Sequence, residues 1–112
     1  MGTWKLASSD HALTLDLNTS GAQNEVLSGT LVYEGKSYSV AGGWAASGSL
    51  PGRNASAFAV SGGTAIAVPD YLAATGIMIG LGDSPTRIEI QVDTSSSADG
   101  KFQHYKGVLL PA

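Results

Sequence analysis

The period of the apolar residues narrows what this chain can fold into more than any other feature. Leu13, Leu15 and Leu17 alternate with Thr14, Asp16 and Asn18, and Ile88, Ile90 and Val92 alternate with Arg87, Glu89, Gln91 and Asp93. Side chains two residues apart share one face of a β-strand, whereas a helix face needs spacings of three and four. No stretch longer than a few residues carries the helical spacing, so an all-β chain with scarce helices is expected.

Residues 25–46 carry the sharpest local signal. Glu34-Gly35 predicts a hairpin turn, with glycine supplying the positive φ that tight turns demand. With those two residues in the loop, Tyr33 faces Lys36 and Leu31 faces Tyr38. Leu27, Leu31 and Tyr33 then share a face with Tyr38, Val40 and Trp44, and the other face carries Ser28, Thr30, Ser37 and Ser39. A slip of one residue would bury those hydroxyls in place of the aromatics, so the register is strongly specified.

Residues 57–60, 64–68 and 76–81 are apolar at nearly every position. Strands of that kind need cover on both faces, from a loop or helix or from a second subunit, and a subunit interface is the preferred reading. Pro69-Asp70-Tyr71-Leu72 is expected to form a short helical turn, the only helix, with proline tolerated at its first position. Breaks at Ser20-Gly21, 47–54, 82–85 and 95–100 delimit eight or nine short strands, too closely spaced for parallel crossovers. The expected fold is an antiparallel up-and-down barrel of about eight strands, one domain over residues 1–112, because closure removes exposed sheet edges. A two-sheet β-sandwich is the alternative.

Composition limits the function classes. A chain of 112 residues can bury a core without staples, and no cysteine is present for a disulfide scaffold or for cysteine-based metal or redox chemistry. The formal charge of -3, with 13% charged residues, offers no clustered lysine and arginine for phosphates, so no nucleic-acid partner is expected. No apolar run approaches the roughly 20 residues of a membrane helix, so no membrane span is expected. Met1 leads at once into Gly2-Thr3-Trp4 without a signal-like segment, which points to the cytoplasm, or to a secreted or periplasmic protein whose leader has been removed.

Gly2-Thr3-Trp4, then Leu27-Ser28-Gly29-Thr30, then Arg87-Ile88 with Gln91 and Thr94-Ser95, occur in an order that resembles avidin and streptavidin. The resemblance touches the first, middle and penultimate strands. It implies an eight-stranded antiparallel barrel assembled as dimers or tetramers around biotin pockets. Lipocalins share the early glycine and tryptophan, so the opening motif also fits the broader calycin-type barrel class. At the positions where the resemblance places biotin contacts this chain differs. Leu6 stands where an asparagine is expected, and only Ser8 or Ser9 lies near the expected serine. Leu31 replaces the tyrosine after Gly29-Thr30, with Tyr33 two residues on. The second half has no tryptophan, and the late His-Asp pair has no counterpart beside His104. What the resemblance carries is a barrel whose pocket is rebuilt or filled, and it weighs against biotin itself.

Among single residues, Trp4 and Trp44 offer large apolar area with a polar handle, Trp4 also suiting a plug at one barrel end and Trp44 following Gly42-Gly43, where a strand can bend. His104 lies among Phe102, Tyr105 and Lys106, a setting suited to an anionic group or to a solvent-facing terminal strand. Neither His11 nor His104 has a carboxylate and nucleophile in a recognisable order. The carboxylates form no acid and base pair, and the serine-rich loop after Asp93 offers too few oxygen ligands for calcium. The expected function is therefore a non-enzymatic binding protein with an avidin-like barrel, without metal or cofactor. Its expected ligand is a small apolar or aromatic molecule, its expected ligand-binding residues are Trp4, Tyr33, Tyr38, Trp44 and His104, and it is expected to form a homo-oligomer. The alternative is a protein-recognition module, an inhibitor, immunity or host-interaction domain, with a filled barrel and loops 47–54 and 95–100 as its surface.

Overall fold

The alternation seen in the sequence becomes the wall of a barrel. A computed structural model of the chain describes residues 2–19, 25–44, 49–50, 53–81 and 84–112. The strands are β1 (Gly2–Ala7), β2 (Leu13–Thr19), β3 (Glu25–Tyr33), β4 (Lys36–Trp44), β5 (Ser49–Leu50), β6 (Arg53–Gly63), β7 (Asp70–Leu81), β8 (Ser84–Ser96) and β9 (Phe102–Pro111), with no helix among the described residues. All pairings are antiparallel. The two-residue β5 pairs only with β6, while β4 pairs with β6 directly and β9 returns to β1, so eight strands close on themselves. Closure excludes the sandwich.

Inward positions are those the period predicted. Leu13, Leu15 and Leu17 of β2, Leu27 and Leu31 of β3, and Ile88, Ile90 and Val92 of β8 are buried in one core, with Asp16, Arg87, Glu89 and Gln91 facing water. The β3–β4 register is the expected one, Tyr33 opposite Lys36 and Leu31 opposite Tyr38. Both turn residues have positive φ, 51° at Glu34 and 81° at Gly35, the signature of a type I′ turn whose twist matches the flanking strands.

Closure between β4 and β6 depends on two glycines at the strand–strand contact. Gly42 lies opposite Val60 and Gly62 opposite Val40. A Cβ on Gly42 would stand 1.8 Å from the Ala59 carbonyl oxygen, and one on Gly62 1.8 Å from that of Ser39. Only residues without side chains let the two strands approach this closely, which is how a sheet bends at a barrel corner. The β1–β9 joint is much shorter: Leu6 pairs with Pro111 and Ala7 with Leu110, and the Ala112 N–H donates to the Lys5 carbonyl at 3.3 Å.

Five local expectations are corrected in whole or in part. Residues 64–68 are not a strand but belong to the connection between β6 and β7, held by Thr64 N–H to the Asp70 carbonyl and Asp70 N–H to Thr64 Oγ1, both 3.0 Å. Its residues find no neighbouring ladder, so apolar content alone does not make it β. Residues 69–72 make no helical turn. Asp70 already pairs with Ser96, and the β7–β8 ladder supplies backbone bonds that one helical turn could not match. The break expected at 95–100 starts later, since β8 runs to Ser96 and the turn covers 97–99. In 57–60 and 76–81, Phe58, Val60 and Met78 point inward, while Ala57, Ala59 and Ile77 are exposed on the outer face. The expected break at 20–21, residues 82–83 of the 82–85 break, Ala46, and 47–48 and 51–52 of the 47–54 loop lie outside the described residues, while Ser84 and Pro85 already belong to β8, 49–50 form β5 and 53–54 start β6, so these positions are strand and not loop.

Candidate functional site: the tyrosine-end cup

The two ends of the barrel differ because β3 and β4 carry different residues at their two ends. At the far end of the hairpin, Trp44 meets Trp4, with ring centroids 6.1 Å apart, and Trp4 meets Phe58 edge-on at 5.6 Å and 87°. The Trp44 indole N–H donates to Thr19 Oγ1 at 3.1 Å. Trp4 is fully buried, so these rings seal that end as core.

At the turn end the interior becomes polar. Tyr33, the last residue of β3, Tyr38 near the start of β4 and Thr94 near the end of β8 line a cup of about 270 Å³. Tyr105 of β9 lies against Tyr33, centroids 5.7 Å apart. Tyr33, Tyr38 and Thr94 are 7%, 2% and 6% exposed, yet none of their hydroxyls makes a hydrogen bond with a described residue. Buried polar groups are nearly always paired, so three hydroxyl-bearing side chains without a described partner around one cup set this end apart from the tryptophan end. Burial pushes the Tyr33 and Tyr38 phenols above their ordinary range, so both stay protonated at neutral pH.

Charged groups form the rim. Lys36 Nζ donates to the buried Asp70 carboxylate. That bond, and secondly the Ser96 hydroxyl, hold Asp70 below the usual carboxylate range, and the same bond raises Lys36. Asp99 is lowered by the Lys101 backbone N–H, at 2.9 Å from Oδ1, and then by Ser96. Ser96 thus lies beside both rim carboxylates. The cup lining combines phenol and aliphatic hydroxyls with carboxylates and two lysines.

Of the residues singled out from the sequence, Tyr33 and Tyr38 come together in the cup, and Trp4 and Trp44 come together at the opposite end. Trp44 is six residues from Tyr38 along β4, about 20 Å at strand rise. His104 joins neither group. It sits on the outer wall, with Nδ1 2.6 Å from Asp93 Oδ1 of the adjacent strand. His11 and Asp10 belong to the β1–β2 turn: His11 takes φ 59°, and Asp10 Oδ1 accepts from the Ala12 N–H and the Ser8 hydroxyl, which keep its carboxyl low. Sequence reasoning missed Lys36, Asp70, Thr94 and Lys101 as site residues, and reached Ser96 and Asp99 only as part of the 95–100 loop of the alternative reading. The only local pointers are the lysine flanking the hairpin turn and the inward parity that Thr94 shares with Ile88, Ile90 and Val92.

No family model, curated protein or solved structure matches the chain. The closed, antiparallel eight-stranded barrel is compatible with a calycin-like architecture.

Proposed function

We propose that this chain is a non-enzymatic binding protein of avidin-like design that holds a small ligand, by a polar group, in the tyrosine-end cup. The observation carrying this reading is the convergence of the buried, unpaired hydroxyls of Tyr33, Tyr38 and Thr94 on that cup. Its lining favours a ligand with a hydrogen-bonding end over the small apolar or aromatic ligand expected from the sequence. Biotin itself is disfavoured, since Leu6, at the position of an expected hydrogen-bonding side chain, is buried core. The outer surface of β6 and β7, with Ala57, Ala59, Ala73 and Ile77 exposed, supports a second copy of the chain as partner in a homo-oligomer.

Small neutral amides and ureas, with biotin among them, titrated by NMR into the wild type and into a Tyr38→Phe/Thr94→Val variant test the reading. Saturable shifts of cup residues in the wild type, weakened at least tenfold in the variant, are expected. The unliganded variant should be at least as stable as the wild type, because it removes buried polar atoms that have no partner. Tryptophan emission should change little, since both indoles lie at the far end. Equal binding by both proteins, or none by either, would overturn the assignment.

A protein-recognition module is the second reading. It is favoured by the filled interior between the two ends and by exposed Tyr71 and Phe102 on the outer wall. It predicts a protein partner whose binding is indifferent to the cup substitutions.

A further inference from the structure

We infer that the cup's ligand is amphipathic: an uncharged polar head reaches the buried hydroxyls, and an aliphatic tail lies over the rim against Ile66 and Val68. This rests on the cup reading above and extends it to a ligand class. A second depression, a groove of about 670 Å³, opens beside the cup and shares Lys36, Asp70, Ser96 and Asp99 with it, so the Lys36–Asp70 ion pair is the sill between the two. The far wall of the groove is the 64–69 connection, which presents Ile66 and Val68 to solvent at 62% and 52% exposure. Both ends of that connection are tied together, Thr64 N–H to the Asp70 carbonyl and Asp70 N–H to Thr64 Oγ1, which holds the apolar residues beside the mouth. Asp70 is therefore the shared anchor: its side chain serves the rim of the cup and its backbone serves the apolar wall.

The charge balance disfavours an anionic head, and the Lys36 contact with Asp70 occupies the buried carboxylate that a cation would seek. The cup lining holds Lys36 and Lys101 against Glu34, Asp70 and Asp99, so it offers no net attraction to an anion. Three hydroxyls that can each donate or accept suit a neutral carbonyl or amide group. An apolar chain leaving the cup meets the Ile66–Val68 groove across four shared residues, Lys36, Asp70, Ser96 and Asp99, whereas the depression beside Tyr71 and Phe102 shares only Thr94 and Ser95 with the cup, and this closer continuity is what commits the first groove to the tail.

The test is a homologous series, acetamide, butanamide and hexanamide, titrated by NMR into three proteins: the wild type, Ile66→Ser/Val68→Ser and Tyr38→Phe/Thr94→Val. A fully buried methylene is worth about fourfold in affinity and a half-open groove about twofold, so wild-type binding should tighten at least about twofold per methylene. The Ile66→Ser/Val68→Ser variant, altered only on an exposed connection and so expected to fold normally, should collapse the series to the affinity of acetamide. The Tyr38→Phe/Thr94→Val variant should weaken every member by one common factor and keep the dependence on length. A flat wild-type series, or a length dependence that survives loss of Ile66 and Val68, overturns the tail assignment while the cup stands. Failure of every amide to bind the wild type overturns the cup itself, and the tail with it.

Discussion

Asp70 joins three parts of this molecule: its carboxylate is buried at the rim and accepts from Lys36 of β4, its backbone ties the 64–69 connection, and it begins the strand that pairs with β8. A carboxyl held low in the fold binds fewer protons than in the unfolded chain, whose value is about 3.9, so its contribution is present above that value and lost as pH falls through the folded one. Lys36 behaves in the mirror sense. Its raised ammonium contributes below the ordinary lysine value and fades only as pH climbs through the raised one. The stability difference between wild type and Asp70→Asn, followed by urea unfolding, should therefore be constant from about pH 5 to 9 and shrink below about pH 4. Asp10 and Asp99 are lowered as well, so the variant keeps a shallower acid slope. Identical slopes in the two proteins would show that the rim pair does not couple to folding. At this scale Tyr33 and Tyr38 were legible because face parity placed them inside. Asp70 was not, because its partner lies 34 residues away in sequence and only the β4–β6–β7 arrangement brings them together.

Among the elements, the β3–β4 hairpin was read with its register intact, since aromatics on one face and hydroxyls on the other allow no slip. Its turn has one local conflict. Glu34 occupies a left-handed conformation at φ 51°, which costs a non-glycine residue about 1–2 kcal/mol and which asparagine tolerates better. Glu34→Asn should stabilise the protein by up to about 1 kcal/mol, seen as a melting temperature raised by a few degrees. An unchanged or lowered midpoint would mean that the Glu34 side chain contributes more than the turn conformation costs. The elements that were misread fail for a related reason. At 64–68 apolar content resembles a strand, yet strand formation needs a neighbour's backbone, and that is not written in the segment itself. At 69–72 proline suggests a helix start, but the β8 ladder captures the chain first.

For the whole molecule, alternation legible in β2, β3, β4 and β8 was enough to foresee an antiparallel barrel, while the difference between its ends was not. Which aromatics meet depends on strand order and tilt, so Trp44 and the two tyrosines, grouped by face, separate along the barrel axis. The joint between first and last strands is likewise invisible locally. The Ala112 N–H donates to Lys5, so by alternation the N–H groups of Val108, Lys106 and His104 point to the same side, where no described strand lies opposite them. Hydrogen exchange should show these amides fast and those of Gln103, Tyr105 and Gly107 slow, an alternating pattern within one strand. Uniform protection along β9 would mean that another chain covers this edge.

That short joint also makes the wall unequal in compliance. Every other seam of the ring is a ladder of six or more residue pairs, against two here. If the interior has to swell to admit a guest, the circumference will yield by parting at this one place, leaving the remaining registers undisturbed.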